Sequence, residues 1–195
     1  MFYEESTLAK AFPKEEVYKY FQKSQQDHIN QSRNLSAGKF KSGLADHSAI
    51  IVKYHTAAHL MHASLRRVLG NHIHQAGSNI TADRIRFDFT HPEKITSDQI
   101  QQVETLVNDQ IKAALPVTHQ IIPFNEAKSQ GALFLAGHTY PEMVTVYTVG
   151  NPDNFYSKEI CTGPHVDNTN QLTEFKILKE ESAGSGKRRL YAVLR

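Results

Sequence analysis

The sequence predicts an α+β fold, a mainly antiparallel sheet with helices packed on one face and preceded by an N-terminal helical element. In two long segments, residues 53–69 and 97–114, apolar side chains recur at helical spacing. In a shorter segment, residues 84–90, Ile85, Phe87 and Phe89 alternate with charged residues, which is typical of a strand with one buried face. Helices and strands of this kind pack as layers around one core.

The first predicted element is an amphipathic helix over residues 13–34. Pro13 opens it, and Glu15 and Glu16 stand in its first turn, where negative charge favours a helix start. Residues 36–43 are small and basic, as in a linker or an RNA-contacting loop. We therefore divide the chain into an N-terminal extension, residues 1–44, and a main domain, residues 45–195.

In the main domain, a helix over residues 53–69 is followed by two predicted strands, residues 71–75 and 84–90. Thr96 and Gln99 have the spacing of a capping box, which begins an amphipathic helix that Pro116 ends. The remaining predicted elements are a short helix near residues 126–130 and four strands, residues 117–122, 144–149, 173–178 and 190–194.

Two short segments carry the chemistry. His55 and His59 are four residues apart and share one face of the predicted helix. Because 11 of the 195 residues are histidine, this pair alone is weak evidence for a metal site. The only cysteine, Cys161, also has a histidine, His165, four positions after it. Three imidazoles and a thiolate are ligands that tetrahedral zinc accepts. A metalloprotease is a poor fit, since Thr56 stands where its motif requires glutamate.

A resemblance to a known family is carried by residues 55–63, 66–70, 75–78, 84–91, 131–132, 159–165 and 186–193. Through these segments the main domain closely resembles the editing domain of alanyl-tRNA synthetase and of free-standing alanyl-tRNA editing proteins, and more distantly that of threonyl-tRNA synthetase. Between Cys161 and His165 the alanyl family commonly has Gly-Gly-Thr, whereas this chain has Thr-Gly-Pro, and the threonyl family carries a Gly-Pro there. The resemblance covers residues 45–195 in one order.

The resemblance implies an aminoacyl-tRNA deacylase that uses zinc to hydrolyse the ester of mischarged tRNA, with serine, and in some cases glycine, removed from alanine tRNA. It implies His55, His59, Cys161 and His165 as zinc ligands. It also assigns Gln75 to hydrogen bonding or water positioning near the substrate. Thr56 and Glu159 adjoin ligands in the sequence, so we expect them to orient an imidazole or take part in proton transfer.

Two alternatives remain open from the sequence. A thiolate and three imidazoles resemble a closed structural zinc site, so the chain is alternatively a noncatalytic tRNA-binding module. Because of the Gly-Pro dipeptide, the second alternative is an editing domain of the threonyl type. A free-standing protein and a piece of a longer synthetase are both compatible with the sequence.

The composition is only mildly basic, with a net charge of +2 and a pI near 8.6. We expect Arg84, Arg86 and the run Lys187, Arg188 and Arg189 to contact tRNA phosphates. One cysteine precludes an internal disulfide, and no apolar run reaches transmembrane length, so we expect a cytoplasmic protein without a membrane partner. The oligomeric state is open.

Overall fold

A computed structural model of the protein describes residues 44–184 and 186–195. The predicted helix over residues 13–34 and the linker over residues 36–43 lie outside the described residues, and the domain boundary stays a prediction. None of the described helices is long and apolar enough to cross a membrane. The elements are α1 (Ala49–Leu69), β1 (Gln75–Ile80), β2 (Ile85–Thr90), α2 (Ser97–Lys112), β3 (Val117–Pro123), α3 (Phe124–Ser129), β4 (Met143–Asn151), β5 (Asn154–Ile160), a 3-10 turn (Thr169–Gln171), β6 (Phe175–Ser182) and β7 (Lys187–Leu194).

Helix α1 begins four residues earlier than predicted and is the central element of the fold. It ends at Gly70, whose φ of 114° is rarely adopted by residues that have a side chain. The Gly70 N–H donates to the Arg66 carbonyl at 2.9 Å. Every residue from Tyr54 to Leu65 is buried. Since a helix with one apolar face buries only that face, burial all round means that α1 lies between layers.

One layer is a four-stranded antiparallel sheet with the order β1-β2-β7-β6. The predicted alternation in β2 is confirmed, because Ile85, Phe87 and Phe89 are buried and the residues between them are partly exposed. Their side chains join those of Leu190 and Ala192 in the main core, under α1 and α2.

The strand predicted over residues 71–75 is wrong, since β1 starts only at Gln75. The Arg66 guanidinium donates to the carbonyls of Asn71 and Ile73 at 2.8 and 2.6 Å. These contacts tie the segment to the end of α1 as a connection, and the paired strand begins after it.

The second layer is a three-stranded antiparallel sheet with the order β3-β4-β5. Its β5 was not predicted from the sequence, because Ser157, Lys158 and Glu159 are polar and yet buried. Helix α1 contacts β5 on one face. On the other face, Ala127 of α3 packs with Val144 and neighbouring apolar residues in a second core. The α+β fold with antiparallel pairing is confirmed, with the strands divided between two sheets.

Helix α2 has the predicted capping box. The Thr96 hydroxyl accepts from the Gln99 N–H at 3.2 Å, and the Gln99 side chain accepts from the Thr96 N–H at 2.9 Å. The buried positions Val103, Val107 and Ile111 then follow at helical spacing and join the main core.

Replacing Thr96 with alanine removes the hydroxyl that caps α2, and we expect the free energy of unfolding to fall by about 1 kcal/mol. Urea denaturation followed by circular dichroism measures it. Thr105→Ala is the matched control, since Thr105 is exposed within the same helix and its replacement is expected to be slightly stabilising, because alanine has the higher helix propensity. Equal stabilities of the two variants would contradict the capping role.

Candidate metal centre

The four residues singled out as ligands in the sequence lie together in the structure. His55 and His59 project from α1, and Cys161 and His165 lie in the loop that follows β5. One ligand atom from each lies within 4.8 Å of the others. Zinc bonds of roughly 2.0–2.3 Å to nitrogen and sulfur require a spacing of this order.

Hydrogen bonds hold the loop over residues 161–165 near both of its ends. The Cys161 N–H donates to the Thr145 carbonyl of β4 at 3.1 Å, which fixes the thiol beside α1. The Pro164 carbonyl lies 3.2 Å from His55 Nδ1 and accepts its proton in the tautomer that leaves Nε2 unprotonated. That Nε2 faces Cys161 Sγ at 3.2 Å. Its lone pair is therefore directed into the cluster.

Gly163 is required for this approach because of space. A Cβ added at residue 163 would lie 2.4 Å from His55 Cε1 and 2.6 Å from His55 Nδ1. No real Cβ tolerates such contacts, and the imidazole is enclosed by α1 and the loop. The sequence analysis considered Gly163 only as part of the Gly-Pro dipeptide that the threonyl family carries, so its contact with His55 was missed.

Thr56 orients His165. The Thr56 hydroxyl donates to the Val52 carbonyl at 3.3 Å and accepts from the Val166 N–H at 3.2 Å. His165 Nδ1 lies 3.1 Å from the same oxygen. Because the single hydroxyl hydrogen goes to Val52, His165 donates from Nδ1, and its Nε2 keeps a lone pair. This Nε2 is buried without a partner, as is His59 Nδ1. Unpartnered imidazole nitrogens in a buried cluster are what a metal ion satisfies.

The electrostatics favour neutral imidazoles. Burial lowers the pKa of His55 to about 3, and the neighbouring His59 adds to the effect. Burial also lowers the pKa values of His59 and His165. Burial raises the pKa of the Cys161 thiol to about 12. Binding of a divalent cation opposes this last effect by stabilising the thiolate. A soft thiolate with imidazoles suits zinc.

A buried acid lies beside the four residues. Glu159 accepts from Ser157 Oγ at 3.1 Å and lies 3.3 Å from His62 Nδ1 and 4.0 Å from His59 Nε2. Burial alone would raise the pKa of Glu159, but these two histidines and the Ser157 hydroxyl lower it to about 2. Sequence reasoning missed His62. Its signal was its place three residues after His59, on the same side of α1.

Gln75 is the first residue of β1, next to an irregularity in the pairing of β1 with β2. Its side chain makes no hydrogen bond to any other residue that the structure describes, and its role near the substrate stays a prediction. The roles of Thr56 and Glu159 in the reaction also stay predictions, although both lie at the cluster.

The predicted nucleic-acid contacts lie on the four-stranded sheet. Arg189 forms a bidentate pair with Asp88, with N–O distances of 2.6 and 2.8 Å, and Arg86 lies 3.8 Å from the same carboxylate. Arg188 is paired with Glu180. Arg84 lies over the ring of Tyr191, and Lys187 is exposed. Carboxylates offset much of this positive charge, and a role in binding tRNA stays a prediction for all five basic residues.

Comparisons with known proteins relate the chain to the aminoacyl-tRNA synthetases. Residues 144–191 match the family described as "Threonyl and Alanyl tRNA synthetase second additional domain". The chain is 51% identical over 174 residues to alanine–tRNA ligase of Treponema denticola, which covers 89% of this chain and 28% of that protein. It is 48% identical to the Borreliella burgdorferi enzyme, over 86% of this chain and 27% of that one. For the Bacillus subtilis enzyme the identity is 45%, over 73% and 16%.

The fold and the matches define a domain of the aminoacyl-tRNA synthetase class. Residues 144–191 match the second additional domain of the threonyl and alanyl tRNA synthetases, and the identity over most of the chain supports a domain of the alanyl-tRNA synthetase type. The chain spans less than a third of the length of these relatives.

Replacing Gly163 with alanine places a methyl group against His55, and we expect the variant to lose most of its bound zinc. Metal analysis of protein purified with zinc measures this. Gly77→Ala is the matched control, because a Cβ at residue 77 would meet only Asp88, at an ordinary 3.7 Å. Zinc retained in full by the Gly163 variant would show that the approach of the loop to His55 is dispensable.

Replacing Thr56 with valine keeps the side-chain shape but removes the oxygen that fixes His165 and satisfies Val166. We expect zinc affinity to fall about 10- to 100-fold, as when a ligand-orienting group is removed. Competition with a chromophoric chelator measures the affinity. Thr56→Ser retains the hydroxyl and is expected to restore binding, whereas equal losses in both variants would indicate a packing effect.

Proposed function

We propose that this chain is a zinc-dependent aminoacyl-tRNA deacylase that hydrolyses mischarged tRNA, with serine on alanine tRNA as the main substrate and glycine as a second. The observation that carries the proposal is the buried set of His55, His59, Cys161 and His165, within a domain of the alanyl-tRNA synthetase type. We infer that this activity operates in the cytoplasm.

A second hydrolytic site has a physical reason. A synthesis pocket discriminates poorly against a side chain that differs by one hydroxyl or methylene, so fidelity is raised by removing the wrong product afterwards. The aminoacyl ester is already activated, so that precise placement of the ester and of water supplies much of the rate.

The four residues would hold the ion, which supplies a Lewis acid next to the ester when it is bound. The chain's own groups place what surrounds it. Thr56 fixes the ring of His165, and the Tyr147 ring packs against that ring, 4.3 Å between centroids. Glu159 provides a buried carboxylate that can accept a proton or hold an ammonium group. Gln75 provides an amide for the substrate.

Two observations favour alternatives. Four protein ligands form a closed set, which favours a structural zinc in a noncatalytic tRNA-binding module. Gly163-Pro164 matches the dipeptide of the threonyl family, which favours an editing domain of that type. The first alternative predicts binding without hydrolysis, and the second predicts a different preference among amino acids.

The proposal is tested with Ser-, Gly-, Ala- and Thr-charged tRNA and substoichiometric protein. We expect multiple turnovers with seryl-tRNA, slower hydrolysis of glycyl-tRNA, and sparing of correctly charged alanyl-tRNA. Release of the radiolabelled amino acid measures the rates. Binding of seryl-tRNA without hydrolysis would favour the noncatalytic module, and selective loss of another amino acid would favour a different editing type.

Metal dependence is tested on the wild-type protein and on Cys161→Ala. Removal of zinc with a chelator is expected to abolish hydrolysis, and added zinc to restore it, while Cys161→Ala stays inactive after the same addition. Circular dichroism reports whether each preparation is folded. Full hydrolysis by folded, metal-free protein would refute the role of zinc.

A further inference from the structure

A second polar site lies on the face of the three-stranded sheet that points away from the metal centre. Tyr147 packs on His165, so the next residue of β4, Thr148, points to the opposite face. There Thr118 of β3 is directly opposite Thr148, and Thr148 is directly opposite Lys158 of β5. Two hydroxyls and one ammonium therefore form a row across three strands, in a cavity of about 480 Å³.

Lys158 is unusual in this row because it is only 7% exposed. Lysine is seldom buried to this degree unless an anion pairs with it. Among the described residues, no carboxylate oxygen lies within ion-pair distance of its Nζ. Its contacts are the Gln130 side-chain oxygen at 3.5 Å and the Phe155 ring, whose centroid is 4.5 Å away. The aromatic face holds the cation at the cavity without neutralising it.

The hydrogen bond to Gln130 uses little of the donor capacity of Lys158. The same Gln130 oxygen accepts from Gln120 Nε2 at 3.4 Å, and the Gln130 amide nitrogen donates to Glu126 at 3.1 Å. An ammonium has three N–H donors, and only one of them is directed at this shared, distant oxygen. Lys158 and both threonines line the cavity, so the remaining donor capacity is available to a ligand there.

We propose that this cavity is a phosphate-binding site, with Lys158, Thr148 and Thr118 as its donors and a phosphodiester of bound RNA as its occupant. A phosphate has several oxygens, which accept from an ammonium and two hydroxyls at once. The cavity has the volume of sites that hold small ligands. The acidic residue in its lining, Asp153, is exposed in the turn between β4 and β5, where water screens its charge.

The assignment to RNA rests on the proposed function, whereas the affinity for phosphate does not. On the four-stranded sheet, Arg188 and Arg189 are already paired with carboxylates. Lys158 has no such competitor among the described residues, so a phosphate that reaches it gains a desolvated positive charge. The site thus offers the RNA backbone a contact that the paired arginines do not.

The phosphate arm of the test uses inorganic phosphate and NMR spectra of the whole chain. We expect saturable shifts of the backbone amides of Thr118, Thr148 and Lys158 in the wild type, and their loss in Lys158→Met, which keeps the long side chain without charge. Lys94→Met removes an exposed lysine and is the matched control. Thr148→Val keeps the charge and the shape, and is expected to weaken phosphate binding about 2- to 10-fold. Unchanged spectra of the wild type in a large excess of phosphate would overturn the site.

The RNA arm measures the binding of uncharged alanine tRNA at several salt concentrations. We expect Lys158→Met to weaken binding and to reduce the slope of log affinity against log salt by about 1, with no change in Lys94→Met. Phosphate shifts together with an unchanged slope would overturn the assignment to RNA and leave a free phosphate compound as the ligand. Neither arm needs hydrolysis, so failure of the deacylase assay alone would leave this inference standing.

Discussion

The close approach of the loop over residues 161–165 to helix α1 is the constraint on which the rest of the structure depends. Helix α1 is buried on all sides, and burial leaves imidazole nitrogens without water. An unsatisfied buried polar group costs about 1–3 kcal/mol, so several of them in one place demand a shared partner. Gly163 permits the contact, Thr145 anchors the loop, and Thr56 turns His165 toward the others. The contacts of Gly163 and Thr56 join the loop to a helix that is remote in sequence, and the contact of Thr145 joins the loop to β4.

The parts of this arrangement that depend on residues close together in the sequence could be predicted. The start of α2 follows from a capping box, whereas the helix ends at Lys112, two residues before the predicted end. The four clustered residues follow from two i, i+4 spacings. Strand β5 could not be predicted, because three of its buried side chains, Ser157, Lys158 and Glu159, are polar and consecutive. The pairing of His62 with Glu159 joins residues 97 positions apart, so it is visible only once the helix and the sheet are packed.

The two sheets treat positive charge differently. On the four-stranded sheet, arginines form ion pairs with carboxylates on neighbouring strands. Arg189 of β7 pairs with Asp88 of β2, and this pair helps to hold the two strands in register. The pairs Arg189–Asp88 and Arg188–Glu180 are partly buried, and each joins two neighbouring strands of the sheet. On the three-stranded sheet, Lys158 is enclosed instead by an aromatic ring and amides. A count of basic residues in the sequence does not distinguish the two cases.

Strand β4 serves both faces of its sheet through adjacent residues. Tyr147 packs against His165, and Thr148 lies in the row with Lys158. Because side chains alternate strictly along a strand, inserting or deleting one residue within β4 would exchange the two faces beyond that point. The turn at residues 152–153, where both side chains are exposed, is the place between β4 and β5 where a change of length leaves both faces intact.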